Sequence, residues 1–175
     1  MNAPAMNLLD PSLELDRDVD ASTAEPVPTI RHLAFALGGR RYAIEIRHVL
    51  EIVGMQPMTP VHDVEPWVRG LMNLRGHVVP LVDASSRLGQ PPKEYDERTC
   101  IVVLSLEGQS IGLIVDRVER VVDLPESIFV SPDGEHRRRE DVRGVYRDGD
   151  EVVVCLDPLW LARASCRKDT TKVEP

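Results

Sequence analysis

The chain has 175 residues, 42% of them hydrophobic but only 4% aromatic, and a formal net charge of −8 at pH 7. That length allows one ordinary domain or two very small ones, and the charge argues against general attraction to nucleic acid or anionic lipid. The longest apolar runs are strand-sized, far short of the ~20 residues of a membrane span, and the N-terminus lacks the basic start and apolar stretch of a secretion signal.

Residues 1–29 read as an acidic, disordered extension. Positions 1–28 hold four prolines and six acidic residues, with one arginine as the only basic side chain, and cannot bury enough apolar surface to offset the entropy of ordering. Leu8, Leu9, Leu13 and Leu15 leave open a short helix that docks a partner. Residues 32–37 alternate as a strand, Gly38-Gly39 forms a tight hairpin turn, and 41–46 return as its partner. A short turn over 47–50 follows, and 51–53 resume extended structure. Three prolines make 56–66 a loop or edge, and one helical turn is predicted over 67–71. Residues 72–74 and 77–82 flank Arg75-Gly76, a two-residue hairpin signal. Asp83 is placed to cap a short helix through 86–88 that Gly89 ends, and 91–98 form a polar connector.

The second half runs the same course. Residues 100–106 and 110–115 make a hairpin around Glu107-Gly108, 118–124 form another strand, and 125–141 a loop. Residues 142–147 and 151–156 make the last hairpin, with a turn at Asp148-Gly149. Asp157 caps a closing helix with Pro158 at its first position, and 163–175 read as a flexible tail.

The parallel is a sequence repeat. Leu37, Gly39, Ile44, Ile46, Val49 and Ile52 match Leu106, Gly108, Leu113, Val115, Val118 and Val121 without a gap, and VRGLMNLRGHVVPLVD at 68–83 matches VRGVYRDGDEVVVCLD at 142–157. On this alignment the two second turns fall one residue apart. Short strands, tight turns and little helix indicate small barrels or sandwiches. The expected domain is 30–162, made of two similar subdomains at roughly 30–98 and 99–162, with exchange of strands between them left open. Each copy alone has a thin core; packing the two would bury the remaining apolar faces and create a groove between them.

The motifs of catalysis are missing. Gly38-Gly39 sits in a hairpin, not in a phosphate loop that opens a helix, and no Gly-x-Ser-x-Gly elbow exists. His32, His48, His62, His77 and His136 are scattered. His62-Asp63 with Glu65 is the one conceivable metal cluster, and a small metal hydrolase built on it is the remote alternative. Cys100, Cys155 and Cys166 have no metal-type spacing; Cys100 and Cys155 lie in apolar runs and read as buried hydrophobes in a reducing cytosol. Asp83 and Asp157 occupy matching positions before helices, which capping explains. Arg137-Arg138-Arg139, flanked by acids, reads as a solvated loop, with a partner contact left open. Base-stacking aromatics interleaved with positive charge are absent. The expectation is a binding module with no enzymatic activity, cofactor or metal.

Residues that differ between the copies are the better functional candidates. Glu51 stands opposite Arg120, Asn73 opposite Arg147 and Arg75 opposite Gly149, so the scaffold is expected not to require them. An arginine at a turn can fork onto a carboxylate, and Glu51 is the candidate partner; an ordinary surface pair worth ~0–1 kcal/mol is the plain alternative.

These residues resemble a known family. Val49-Leu50-Glu51-Ile52, Val68-x-Gly70, Asn73-Leu74-Arg75-Gly76 and Val78-Val79-Pro80-Leu81-Val82-Asp83 are similar to the CheW family of chemotaxis coupling proteins, and Ile111-Gly112-Leu113-Ile114-Val115-Asp116-x-Val118 fits its second half. The resemblance covers roughly 32–161 and implies a mostly β fold of two packed SH3-like five-stranded barrels. It implies a cytoplasmic adaptor, associated with membrane-bound receptor arrays, that links the tips of methyl-accepting chemoreceptors to the regulatory domain of the histidine kinase CheA. The receptor hairpin would lie in the groove between the barrels and the kinase on the first barrel. Carried over residue by residue, Val49, Glu51, Gly70, Asn73, Leu74, Arg75 and Val121 would shape the partner surfaces, Glu51 and Arg75 as an ion pair. Gly70 would allow a close backbone approach, although its repeat partner Gly144 leaves an ordinary turn glycine equally open. Ala84-Ser85-Ser86 and Cys100 depart from the family's usual residues and bear on partner preference. The same adaptor in another chemosensory-type pathway, for pilus motility or second-messenger control, is the alternative.

Overall fold

The computed structural model describes residues 27–129 and 140–163. The expected disordered extension up to residue 26, the leucines in it, the Arg137-Arg138-Arg139 run, Cys166 and the tail from 164 lie outside them. The chain folds as ten strands. They are β1 Thr29–Leu37, β2 Arg40–Glu45, β3 Val49–Gly54, β4 Val68–Leu74, β5 His77–Asp83, β6 Cys100–Leu106, β7 Gln109–Val115, β8 Arg117–Pro125, β9 Val142–Asp148 and β10 Glu151–Leu156. Helices α1 Ala84–Arg87 and α2 Pro158–Ala162 follow β5 and β10, and 3-10 turns at Ile46–His48 and Glu126–Phe129 precede β3 and follow β8.

The strands form two five-stranded sheets, ordered β8-β1-β2-β10-β9 and β3-β6-β7-β5-β4. Replacing each strand by its repeat counterpart, five places along the chain, turns one order into the other. β1 pairs antiparallel with β8 as β6 does with β3, and β2 pairs parallel with β10 as β7 does with β5. Each sheet therefore takes strands from both sides of the 98/99 division.

Three apolar clusters fill this architecture. The largest joins the sheets, with Leu33, Phe35, Leu37 and Ile44 from the first meeting Val82, Val102, Leu104 and Leu113 from the second. Met72, Val79, Leu81, Ile101, Val103 and Ile114 fill the inside of the second sheet; Ala43, Leu124, Val153 and Cys155 fill the first. Along β6, Ile101 and Val103 enter one cluster while Val102 and Leu104 enter another. Burial on both faces is why these strands read as continuous apolar runs. Gly112 shows how close this packing is: a Cβ there would lie 2.4 Å from Leu81 Cδ2 and 2.8 Å from Ile101 Cγ2.

Asp83 and Asp157 are helix caps, as expected. Asp83 Oδ1 accepts from the Ser86 N–H at 2.9 Å and Asp157 Oδ1 from the Leu159 N–H at 2.8 Å. Near α2 the guanidinium of Arg87, from α1, lies 4.6 Å from the ring centre of Trp67 and 3.7 Å from that of Trp160 and donates to the Trp160 carbonyl at 3.1 Å.

Three local expectations need correction. The helical turn predicted over 67–71 is strand β4, paired with β5 along its length. A bulge between Val68 and Gly70 shifts its register and hides the two-residue alternation. The last hairpin turns on Gly149 and Asp150, because Asp148 still pairs with Glu151; the two second turns of the repeat thus coincide. The turn predicted over 47–50 ends at His48, and β3 begins at Val49.

His32 is 2% exposed, with Nδ1–H donating to the Ile30 carbonyl at 2.8 Å. Burial lowers its pKa below the ordinary 6.5, against the opposing pull of that carbonyl and Glu45; the nearby Arg143 and Arg47 also lower it. As pH falls below 6.5 the unfolded chain takes up a proton before the folded one does, so stability is lost in that direction. Urea denaturation from pH 7 down to 5 should show a decline that is shallower in His32→Gln. Gly112→Ala should lower stability by about 1–3 kcal/mol through overpacking in the same assay.

Candidate functional site

β3 is an edge strand with alternating exposure. Leu50 and Ile52 are 58% and 45% exposed, while Glu51 pairs with Val103 and Val53 with Ile101, two residues of the inner cluster of their sheet. Glu51 thus stands on the inner face of the sheet, at its open end. At the opposite edge, Leu74 pairs with His77, leaving Arg75 (φ 52°) and Gly76 (φ 88°) as a two-residue turn. Positive φ at both central residues matches the right-handed twist of the flanking strands. Asn73 Oδ1 accepts from the Gly76 N–H at 2.8 Å and closes the turn. From there Arg75 Nη2 reaches Glu51 Oε2 at 2.8 Å. The pair ties the hairpin following β4 to β3 at the mouth of the barrel, with the arginine side chain 78% exposed and the carboxylate 26%.

The other residues singled out in the sequence fall around this pair, with one exception. Val49 opens β3 and packs partly against the inter-sheet cluster, and Leu74 packs against the inner one. Gly70 lies within the β4 bulge at φ 152°, where a Cβ would sit 2.5 Å from the Thr59 carbonyl oxygen. Of the two roles considered for it, the structure selects close backbone approach: Thr59 and Leu71 exchange backbone hydrogen bonds of 2.8 and 2.9 Å across it. Val121 stands apart, 47% exposed on β8 of the other sheet, where it pairs with Leu33.

The other sheet adds one feature. Glu51 and Arg75 are not repeated in the second copy, yet a charged pair stands in the equivalent place. In that copy Arg120, the counterpart of Glu51, makes an ion pair with Asp148 beside the second turn. Both barrels thus join their edge strands by an acid–base pair at the mouth, with the polarity reversed. In the first sheet Arg41 extends the pair into a network, 2.9 Å from Glu119, 3.5 Å from Asp148 and 2.5 Å from Glu151. Asn73, read as a partner-surface residue, also has a structural duty in closing its turn. Sequence reasoning passed over the exposed Leu50, Ile52 and Val78, the last 68% exposed; Leu50 and Ile52 adjoin Glu51 along β3 but point to the opposite face, and Val78 pairs with Asn73 on the hairpin that carries Arg75. In β3 the alternation of apolar residues around Glu51 was the available signal.

The arrangement suits binding. The edge strand displays a charged pair on one face and aliphatic side chains on the other, and among the described residues no group of three or more His, Cys, Asp or Glu side chains is gathered to hold a metal. Burial pushes the Cys155 thiol up to about 12, which leaves it inert as a nucleophile near neutral pH. No helix among the described residues is long and apolar enough to cross a membrane.

Comparison with known proteins is consistent along the chain. The CheW-like domain family matches residues 31–165. Chemotaxis protein CheW of Klebsiella aerogenes is 35% identical over 127 residues, covering 71% of this chain and 76% of that protein. Chemotaxis protein CheW of Bacillus subtilis is 35% identical over 113 residues, covering 64% and 72%. Protein PilI of Pseudomonas aeruginosa is 28% identical over 105 residues, covering 60% and 59%. The crystal structure of scaffolding protein TtCheW from Thermoanaerobacter tengcongensis shares the fold, with a TM-score of 0.69, 24% identity and coverage of 77% and 92%.

The exposed ion pair is worth ~0–1 kcal/mol, while the left-handed conformation costs a residue other than glycine about 1–2 kcal/mol. Arg75→Gly, which installs the residue the second copy uses, should therefore leave the urea-unfolding free energy within about 1 kcal/mol of the parent. A larger loss would make the pair a structural clamp.

Proposed function

The chain belongs to the CheW family, and from that premise we propose that it is a non-enzymatic cytoplasmic adaptor coupling methyl-accepting chemoreceptors to the histidine kinase CheA in chemotactic signalling. The observation that carries the reading is Arg75, a long charged side chain held 2.8 Å from Glu51 at a left-handed turn position where glycine would be unstrained. Strain kept at an exposed position points to a contact outside the chain. Leu50 and Ile52, exposed on the opposite face of the same edge strand, and Val78 on the adjoining hairpin supply apolar anchors near the charged pair. The chemotaxis reading is preferred to another chemosensory-type pathway because the relatives with the higher identity carry the chemotaxis name, whereas the match to Protein PilI is weaker and shorter.

An adaptor without chemistry transmits only through affinity. A receptor change moves the kinase between states to the extent that the assembled contacts favour one of them. The surface around Glu51 and Arg75 is assigned to the kinase's regulatory domain, whose barrel edge it would meet. The seam along which the two sheets meet is assigned to the helical receptor tip, held there by its apolar face. Val49, Gly70, Asn73 and Leu74 hold the surface around Glu51 and Arg75 in shape, and Val121 lies on β8, the exposed edge of the other sheet.

Arg75→Glu places two carboxylates together and removes the fork. Partner affinity should fall about tenfold or more, seen as lost receptor-stimulated kinase activity and reduced co-sedimentation with receptor-bearing membranes. Glu51→Arg combined with Arg75→Glu restores the internal pair with inverted polarity, and should regain stability without regaining coupling. Full coupling by a folded Arg75→Glu protein would refute the assignment of this surface.

A further inference from the structure

A charged cleft of about 270 Å3 opens at the β1–β2 hairpin, with Gly39, Arg40, Arg41, Lys93, Arg98 and Glu119 in its lining. It adjoins a hollow of about 390 Å3 lined by Gly39, Arg40, Arg41, Glu151, Val152 and Val154. The acids of the cleft are already engaged. Glu119 takes Arg41 at 2.9 Å and Arg117 at 2.9 Å, and Glu151 takes Arg41 at 2.5 Å. Asp116 accepts the Gly38 N–H at 2.9 Å and pairs with Lys93 at 3.2 Å. Asp96 accepts the backbone N–H of Arg98 at 2.8 Å. Among the described residues the guanidinium groups of Arg40 and Arg98 have no partner. The lining holds five basic side chains against four acidic ones, and its two cations without an ion-pair partner, beside a hollow that also exposes Val152 and Val154, fit an acidic peptide with leucines better than they fit a small anion.

This chain contains such a peptide. Residues 1–26, outside the described structure, carry Asp10, Glu14, Asp16, Asp18, Asp20 and Glu25 against Arg17, together with Leu8, Leu9, Leu13 and Leu15. The other two segments outside it have the opposite balance: 130–139 holds three arginines against two acids, and 164–175 three basic residues against two acids. The lengths also agree. β1 runs from Thr29 to Leu37 and delivers the chain directly to the hairpin at the cleft, a distance of roughly 26 Å. From residue 18 to Thr29 the chain spans up to about 36 Å when extended, enough to return residues 8–18 along β1. We propose that the acidic segment 8–18 folds back onto this cleft. Its leucines cover Val152 and Val154, and its carboxylates meet Arg40 and Arg98. The docked segment forms a built-in competitor for the valines that β10 presents in the first sheet. The proposal is independent of which partners the chain couples.

Hydrogen exchange on the full chain tests it. In the parent, amides of 8–16 and 38–41 should exchange at least about fivefold more slowly than in Arg40→Glu/Arg98→Glu. A second variant, Asp10→Asn/Glu14→Gln/Asp16→Asn/Asp18→Asn, leaves every described residue unchanged and should lose the same protection, so the test stands even if the arginine variant is destabilised. Adding Asp10→Lys, Glu14→Lys and Asp16→Lys to the arginine double variant should restore it. Equal exchange in all of these proteins would overturn the proposal. So would protection that disappears on dilution, which assigns the contact to a second copy, or protection that appears only when another acidic protein is added.

Discussion

The pairing of β1 with β8 and of β3 with β6 ties the two halves of the chain together through backbone hydrogen bonds. Neither half can complete a sheet alone, because the edge strand each sheet needs is encoded in the other copy. The largest apolar cluster then fills the space between the sheets. Two thin cores that would be marginal as separate small domains become parts of one cooperative structure. The relative placement of the two barrel mouths is thereby set by main-chain pairing, independent of any loop. An adaptor that must present two surfaces at once benefits from that rigidity.

On this frame the duplicated halves have diverged where the edge strands meet. One mouth carries Glu51 and Arg75, the other Arg120 and Asp148, so the same structural need is met with opposite charge order. In the first sheet Arg41 is shared among several acids, and its mouth is cross-linked. Arg75 stays largely in solvent with its charge displayed. Equivalent places in one fold thus carry one pair tied into a network and one left open to solvent, and only the latter sits on a residue with left-handed backbone that glycine would adopt without strain.

Much of this was readable from residues. The turns at Gly38-Gly39, Arg75-Gly76 and Glu107-Gly108 were legible because two-residue hairpins demand left-handed backbone, which all six residues adopt. The caps Asp83 and Asp157 were legible because short acceptors before helices have few other uses. β4 was not legible, since its bulge puts Gly70 out of phase and erases the alternation that marks a strand. The turn at Gly149-Asp150 was misplaced because an Asp-Gly pair imitates a hairpin signal of its own. The Glu51–Arg75 contact could be inferred from what differs between the copies. Its reversed counterpart could not, because Asp148 lies one position away from the residue aligned with Arg75. Long-range sheet order is least accessible of all: β1 and β8 are brought together by tertiary pairing that no local pattern records.

The stacking of Arg87 between Trp67 and Trp160 has an optical consequence. The chain has two tryptophans, and both face one cation at the seam where α1 meets α2. Tryptophan emission, excited at wavelengths that tyrosine does not absorb, therefore originates at a single location, and a shift in its colour or brightness registers loosening of that seam.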